Sequence, residues 1–237
     1  IHKDIAVGIE VIHAKNKYVL TANKQIVLSA GSFNTPTILM RSGIGNKIEL
    51  EKNNIELIKD LPGVGSNLKD HLTVNLSVLL NKHHHTFKEK MSLRSSLIEL
   101  AKYFINKEGL YTYPAADIGA FFKSSPTKPR ADAQIHFAPG AGKYHKNGKM
   151  SPESGITASV TILRPKSSGR VSIKSIDPSD PPMIDPNYLS NIDDLIDLRN
   201  SVKITRKILH SLPLKNELLK ELLPGEHIQT DDQLDEF

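Results

Sequence analysis

The stretch VLSAGSFNTPTILMRSGIG, residues 27–45, decides the fold of the first part of the chain. An apolar run begins the stretch and is interrupted by the small residues 29–32. A helix-like pattern follows, in which Ile38 and Leu39 would face inward. The nearly continuous apolar run favours a strand that is buried on both faces of an α/β sheet. The stretch therefore predicts a strand, a tight turn and a helix between Gln25 and Ile44.

Capping residues set the limits that we expect for this helix. Asn34 or Thr35 can cap the first turn, and Pro36 suits the first helical position, where its missing N–H costs nothing. Gly43 and Gly45 then end the helix.

The small residues 29–32 fall where an α/β sheet binds its ligands, just beyond the carboxyl end of a strand. Two interpretations are open for them. They form an ordinary corner between strand and helix, or a ligand lies against the backbone there. Taken alone, the cluster favours the corner, because such corners are common.

The rest of the chain changes character near residue 72. Before it, a short helix to about Lys52, a strand at 55–60 and a glycine-rich loop from Pro62 continue the α/β pattern. After it, runs of alternating apolar and polar residues are separated by Gly, Pro and Ser, which predicts an antiparallel sheet with one face covered. These runs are residues 72–80, 116–124, 131–139, 156–165 and 169–177.

Two long amphipathic helices are predicted in this second part. Residues 92–109 carry an apolar stripe, and residues 190–212 carry another. Ser190 or Asn191 caps the later helix, and acidic residues follow in its first turn. The stripes are Leu93, Leu97, Leu100 (or Ala101) and Phe104 in the first helix, and Leu195, Leu198, Val202 and Leu209 in the second.

The predicted fold class is α/β plus α+β. Residues 1–72 would form part of a Rossmann-like domain, and residues 73–237 would form a second domain with an antiparallel sheet and flanking helices. With 38% hydrophobic and 24% charged residues, the 237-residue chain is long enough to bury a core without disulfides.

Composition also excludes several classes of site. There is no cysteine, which excludes disulfides and thiolate metal sites within the chain. The net charge is +5, and the basic residues are interspersed with acidic ones rather than clustered. Aromatic residues make up only 5% of the chain, so a nucleic-acid interface is not expected. No apolar stretch is long enough to span a bilayer. Adjacent His83–His85 favour an exposed loop over a metal site, so no metal is predicted.

A resemblance becomes specific from Gly31 onward, in the series Gly31-Ser32-x-x-Thr35-Pro36-x-Ile38-Leu39-x-x-Ser42-Gly43-Ile44-Gly45. This series resembles the second signature of the glucose–methanol–choline (GMC) oxidoreductases, flavoproteins that oxidise alcohols. Four more stretches resemble the same family in the same order, and they are AVGIEV at 6, LPGVGSNLKDH at 61, LRPKSSGRVSIKS at 163 and DPPMIDPNYLS at 180. Within the family, the animal glucose-dehydrogenase-like branch is the most similar.

The resemblance implies a cofactor, FAD, beside the turn at Ala30, Gly31 and Ser32. A flat cofactor with a pyrophosphate needs backbone close by and free N–H groups at a helix start. It also implies that Asp70 and His71, with Asn67, lie at the edge of the flavin site. The alternative for those loop residues is a capping and turn-stabilising role.

The activity that the resemblance implies is oxidation of an alcohol or sugar CH–OH group by hydride transfer to flavin. Oxygen or a quinone would then accept the electrons. The family's catalytic histidine belongs to a motif His-x-x-Gly-Thr, and neither this string nor the family's fingerprint Gly-x-Gly-x-x-Gly occurs in the sequence. No catalytic residue is therefore assigned, and His210 and His227 lack the motif's context.

We accordingly expect the chain to be an internal fragment of such an enzyme, inactive by itself. The alternative is a non-catalytic, truncated GMC scaffold that binds a small ligand or a partner. Location stays open, with secretion among the options, and substrate and oligomeric state are also open.

Overall fold

Helices and short strands alternate in the first third of the chain, and strands dominate its middle. The computed structural model describes residues 1–3, 5–81, 86–90, 92–114, 116, 118–144 and 149–237. The described helices are α1 (Gly31–Arg41), α2 (Lys47–Lys52), α3 (Phe87–Lys90), α4 (Leu93–Asn106), α5 (Ile192–Leu209) and α6 (Asp231–Glu236). The described strands are β1 (Gly8–His13), β2 (Asn16–Thr21), β3 (Ile44–Gly45), β4 (Lys59–Asp60), β5 (Ser66–Leu68), β6 (Thr73–Leu80), β7 (Ile118–Phe122), β8 (Ala133–Ala138), β9 (Ala141–Tyr144), β10 (Met150–Glu153), β11 (Gly155–Ile162), β12 (Gly169–Ser172), β13 (Met183–Asp185) and β14 (Leu218–Leu223).

The chain divides into two compact units. The first contains residues 1–70 and 167–188, and the second contains residues 71–166 and 189–237. The sequence placed the boundary near residue 72 and kept everything after it together. The structure returns 167–188 to the first unit because β12 pairs with β5, with Gly169 opposite Leu68. The roles assigned to the two domains stay a prediction.

The first unit is built from α1 and α2 around short strands. Its sheet has the order β13-β12-β5, while β1 and β2 form a hairpin and β3 pairs in parallel with β4. The two helices and the sheet share a small core, which consists of Met40, Leu50, Ile55 and Ile173. Met40 anchors the last turn of α1 in this core.

The strand predicted to begin at Gln25, before the turn at Ala30, is absent. Residues 25–29 have no regular structure, and Val27 is 72% exposed. A strand buried on both faces needs paired neighbours and covering helices. Among the described residues no strand pairs with this segment, so Val27 stays exposed while Ile26 and Leu28 are half-buried.

The start of α1 also differs from the prediction. The helix begins at Gly31, so Pro36 is its sixth residue rather than its first. The Thr35 hydroxyl does not cap the helix from outside but accepts from the Ala30 N–H at 3.0 Å. The end of the helix is as expected, with Gly43 at a φ of 83°.

The strand predicted at 55–60 is shorter than expected and consists only of its last two residues, Lys59 and Asp60. β4 holds two residues, since β3 offers two residues to pair with. Residues 55–58 form no strand, and the Ile58 N–H donates to the Gly43 carbonyl oxygen at 2.8 Å.

The second unit is an antiparallel sheet covered by α5 on one face. The strand order is β14-β6-β11-β8-β7, and every pair is antiparallel. α5 packs on the central strands and closes a core that contains Leu76, Ile135, Val160, Val202 and Leu209. The strands predicted at 72–80, 116–124, 131–139 and 156–165 are confirmed in this sheet, and the fold class, α/β plus α+β, is confirmed with them. The strand predicted at 169–177 belongs instead to the first unit, as β12.

The two predicted amphipathic helices have opposite outcomes. Asn191 caps α5 by accepting from the Asp193 N–H, and Leu198, Val202 and Leu209 are buried as expected. α4 instead exposes its apolar stripe, with Leu93 82% and Phe104 66% exposed. Within the described residues, no helix is long and apolar enough to cross a membrane.

Candidate functional site

The first turns of α1 and the loop at 61–70 share one cleft in the first unit. Its volume is about 430 Å³. Ser32, Thr35 and Pro36 line it from α1, residues 64–69 line it from the loop, and Val171 of β12 completes it. The cleft therefore joins three of the stretches on which the sequence resemblance rests, those that begin at 31, 61 and 163.

The start of α1 offers backbone donors to this cleft. The first N–H groups of an α-helix have no acceptor within the helix and carry its positive dipole end. Within the described chain, no side chain caps the α1 start at Ala30. Gly31 has a φ of 83°, and a Cβ built there meets no atom within 4 Å. Glycine thus sets the turn by its backbone angle and leaves the space beside the turn open.

The loop at 61–70 is fixed by its close approach to β12. The Val171 N–H donates to the Gly65 carbonyl oxygen at 2.7 Å. Gly65 has a φ of 78°, and a Cβ there would lie 2.2 Å from the Val171 carbonyl oxygen. Asn67 follows with a φ of 60°, a conformation that asparagine tolerates better than most residues. Glycine at 65 is therefore required by packing and by backbone conformation together.

The charge at the cleft favours an anion. Lys69 lines it and donates from Nζ to the Ser167 carbonyl oxygen at 3.1 Å. A lysine ammonium beside the positive end of a helix is suited to a pyrophosphate. Open space at Gly31, uncapped N–H groups and Lys69 all fit an FAD cofactor, whose pyrophosphate needs donors and whose ring needs room.

The five predicted cofactor-binding residues are not all at this cleft. Ser32 lines it, and Ala30 and Gly31 form the turn that leads into it. Asp70 accepts a hydrogen bond from the Tyr188 hydroxyl. That hydrogen bond, with burial and the carboxylate charge, raises the pKa of Tyr188. The cofactor role of all five residues stays a prediction.

His71 belongs to the second unit. Its Nε2 lies 3.2 Å from the Leu163 carbonyl oxygen. Because a carbonyl oxygen only accepts, Nε2 carries the proton in this contact. The contact supports a structural role for the ring in the second unit.

The sequence did not place two contributors at the first unit's site, although both lie in stretches of the family resemblance. Val171 lines the cleft from β12, and Tyr188 holds Asp70 from a position 118 residues away in the chain. No local pattern announces either contact, because both depend on which distant segments pair.

Other candidate residues show no catalytic arrangement. His210 ends α5, and the His227 ring lies beside Gly225. In the part of the chain that the structure describes, no group of three or more His, Asp or Glu is placed to hold a metal ion. His83–His85 lie outside the described residues.

Comparison with known proteins gives matches along nearly the whole chain. An N-terminal and a C-terminal family model, both described as GMC oxidoreductase, match residues 1–73 and 165–237. An alcohol dehydrogenase (acceptor) of Pseudomonas putida is 36% identical over 232 residues, which are 97% of this chain and 42% of that protein. The human mitochondrial choline dehydrogenase is 35% identical over 238 residues, with 98% of this chain and 39% of that protein covered.

Solved structures show the same fold. A formate oxidase superposes with a TM-score of 0.85 and 23% identity, over 97% of this chain and 44% of that one. A pyridoxine 4-oxidase superposes with a TM-score of 0.78 and 22% identity, over 99% of this chain and 42% of that one.

This chain spans about two-fifths of the length of the curated relatives that it matches. The finer assignment to the animal glucose-dehydrogenase-like branch stays a prediction. Since the two family models together match more than half of the chain, and the relatives share about a third of its residues, the chain belongs to the GMC oxidoreductase family.

Proposed function

We propose that a polypeptide containing this chain oxidises the CH–OH group of an alcohol or sugar with FAD as its cofactor. Support comes from the relatives, whose names describe alcohol and choline dehydrogenases. Oxygen or a quinone is the proposed electron acceptor.

The proposed part of this chain is to hold and orient the cofactor. Bound flavin supplies the acceptor for a hydride. The N–H groups at Gly31 and Ser32 and the ammonium of Lys69 would neutralise the pyrophosphate, and the open side of Gly31 would admit the flat part of the molecule. The residues of the loop at 64–69 would fix its orientation from the other side of the cleft.

One observation carries the proposal. Three stretches of the family resemblance, which begin at 31, 61 and 163, line a single cleft with a helix start at its edge. A corner that only reverses the chain would not need an uncapped helix start and open space on the same side.

The test is FAD binding to the 237-residue chain with Ser32→Leu. A leucine at this position fills the cleft, so we expect the dissociation constant for FAD to rise by at least about tenfold. Quenching of flavin fluorescence in a titration measures it.

Ser179→Leu is the matched control, because Ser179 is an exposed serine of the same unit that does not line the cleft. It should leave the dissociation constant unchanged. Equal binding by wild type and Ser32→Leu would place the flavin elsewhere and overturn the proposal.

A further inference from the structure

α4 packs on the fold with its polar side and turns its apolar side outward. The apolar arc covers nearly half of the helix circumference, as its residue positions at 100° steps show. Amphipathic helices of globular proteins do the reverse. The exposed side chains of the arc, with their exposed fractions, are Leu93 82%, Leu97 61%, Ile98 49%, Leu100 40%, Phe104 66% and Ile105 78%.

Local contacts occupy the side of the helix opposite the arc. Glu99 is 7% exposed, and its carboxylate accepts from Lys102 Nζ at 2.8 Å and from the Leu110 N–H at 2.7 Å. Gly109 lets the chain pass so close that a Cβ there would lie 2.6 Å from Glu99 Oε2. The Lys102 bond lies within α4, and the Leu110 N–H bond ties the turn after the helix to the side opposite the arc. These groups occupy the polar side of the helix and leave the arc exposed.

The charges around the arc favour an anionic partner. Arg94 lies within the arc, and the carboxylate of the helix, Glu99, lies on the opposite side and is paired. At the C-terminal end, Lys107 Nζ lies 5.0 Å from the Tyr103 ring centre and 5.8 Å from that of Phe104. Long basic side chains along apolar surface can extend to lipid headgroups while their stems stay in the apolar layer.

The turn after the helix continues this character. Tyr111 and Tyr113 are 50% and 60% exposed, and Glu99 ties their segment to α4 through the Leu110 N–H. Tyrosine, with an apolar ring and a polar hydroxyl, is enriched where membrane meets water.

Self-association is the less favourable use of the arc. Two copies of the arc would bring arginines together with no carboxylate on the arc to pair with them. Like charges across an interface oppose binding, whereas lipid phosphate supplies the missing anion.

We propose that α4 lies in the surface of an anionic lipid bilayer, with its apolar arc inserted shallowly and without crossing the membrane. The proposal does not depend on FAD or on turnover.

The chain contains no tryptophan, so a single Trp reports on the arc. We expect Phe104→Trp emission to shift to the blue and to be quenched by brominated lipid when phosphatidylcholine–phosphatidylserine vesicles are added. The control, Leu219→Trp, replaces a leucine that is 60% exposed on β14 and should show neither effect.

Vesicle flotation measures the strength of binding. Leu97→Ser combined with Phe104→Ser should lower partitioning by at least about tenfold, because two large apolar side chains no longer enter the lipid. Leu212→Ser combined with Leu219→Ser is the control, since these leucines are 73% and 60% exposed outside α4. Arg94→Glu should weaken binding to the anionic vesicles.

Three outcomes would overturn the proposal. They are no flotation of the wild type, equal loss in the control pair, or a concentration-dependent dimer that the arc variant abolishes while vesicle binding is absent. The last would assign the arc to a second copy.

Discussion

A single ion pair with little access to water fastens three segments of the second unit. Arg206 on α5 donates to the Glu221 carboxylate from Nη2 at 2.6 Å and from Nε at 3.1 Å, and the side chains are 13% and 7% exposed. The same guanidinium donates to the Ile228 carbonyl oxygen at 2.7 Å. At the residue scale, this arginine joins β14 and the segment after it to α5.

We expect Arg206→Met to lower the free energy of unfolding by about 3–5 kcal/mol, because it leaves Glu221 buried without its counter-charge. Urea denaturation followed by circular dichroism measures the loss. Adding Glu221→Leu should recover much of it, since the apolar pair has no charge to desolvate. Lys47→Met is the control: the Lys47–Glu51 pair is 57% and 59% exposed, so its loss should stay below about 0.5 kcal/mol.

Asp132 gives the second unit a dependence on acid. Its carboxylate accepts from the Ser124 N–H at 2.8 Å and from the Ser124 hydroxyl at 2.7 Å, and Lys128 Nζ lies 3.4 Å away. Burial raises the pKa of Asp132, but these bonds outweigh it and the net pKa is lowered. A hydrogen bond to Asp197 raises the pKa of Lys128.

Because the pKa of Asp132 is lower in the folded chain than its unfolded value of about 3.9, the ionised carboxylate stabilises the fold at pH values above the unfolded pKa. This contribution is lost as the pH falls through the pKa of the folded state. We expect Asp132→Asn to flatten the fall in the free energy of unfolding below about pH 4. Urea titrations at a series of pH values measure the slope. Glu236→Gln, which changes an exposed carboxylate on α6, should leave it as in the wild type. An acid limb of Asp132→Asn that overlays the wild type would contradict the assignment.

The contact between the loop at 61–70 and β12 can be tested at the scale of elements. Gly65→Ala should lower the free energy of unfolding of the first unit by about 1–3 kcal/mol, because its Cβ would overlap Val171 and the φ is positive. Gly63→Ala is the matched control, since a Cβ there meets no atom within 4 Å. Urea denaturation compares the two; equal losses would show that the approach to β12 does not constrain the loop.

Elements whose signals are local could be predicted from the sequence. The start of α5 follows from Asn191 and the acids after it, and its buried face follows from the spacing of Leu198 and Val202. The exposure of the apolar side of α4 could not be predicted, because it depends on which segments pack on the helix. The side that is packed carries Glu99, which is buried and accepts from the Leu110 N–H. The strand predicted from Gln25 is absent for a related reason, because a strand is stabilised by the strands that pair with it.

At the scale of the whole molecule, the 237-residue chain should bind FAD without turning over. The sequence contains no His-x-x-Gly-Thr, the string that the family resemblance associates with the catalytic base. We expect no reduction of an acceptor dye with alcohols or choline above the rate of free FAD. A spectrophotometric dye assay measures it, with FAD alone as the control, and robust turnover would contradict the prediction.

The local motifs of the candidate site could be predicted from the sequence, whereas their arrangement around one cleft could not. The turn at Ala30–Ser32 and the glycine-rich loop are visible as motifs because small residues and glycines report local backbone conformation. That they line one cleft, with Val171 between them, became visible only when β12 paired with β5. The bond from Tyr188 to Asp70 has the same long-range origin.

The sequence alone determined the family, through its ordered motifs, and the class of fold. It also determined the start of α5 and the end of α1, because capping and glycine angles act within a few residues. The tertiary structure alone decided which segments meet, which side of α4 faces outward and that residues 167–188 join the first unit. Those choices depend on contacts between residues far apart in the chain, and no short stretch encodes both partners of such a contact.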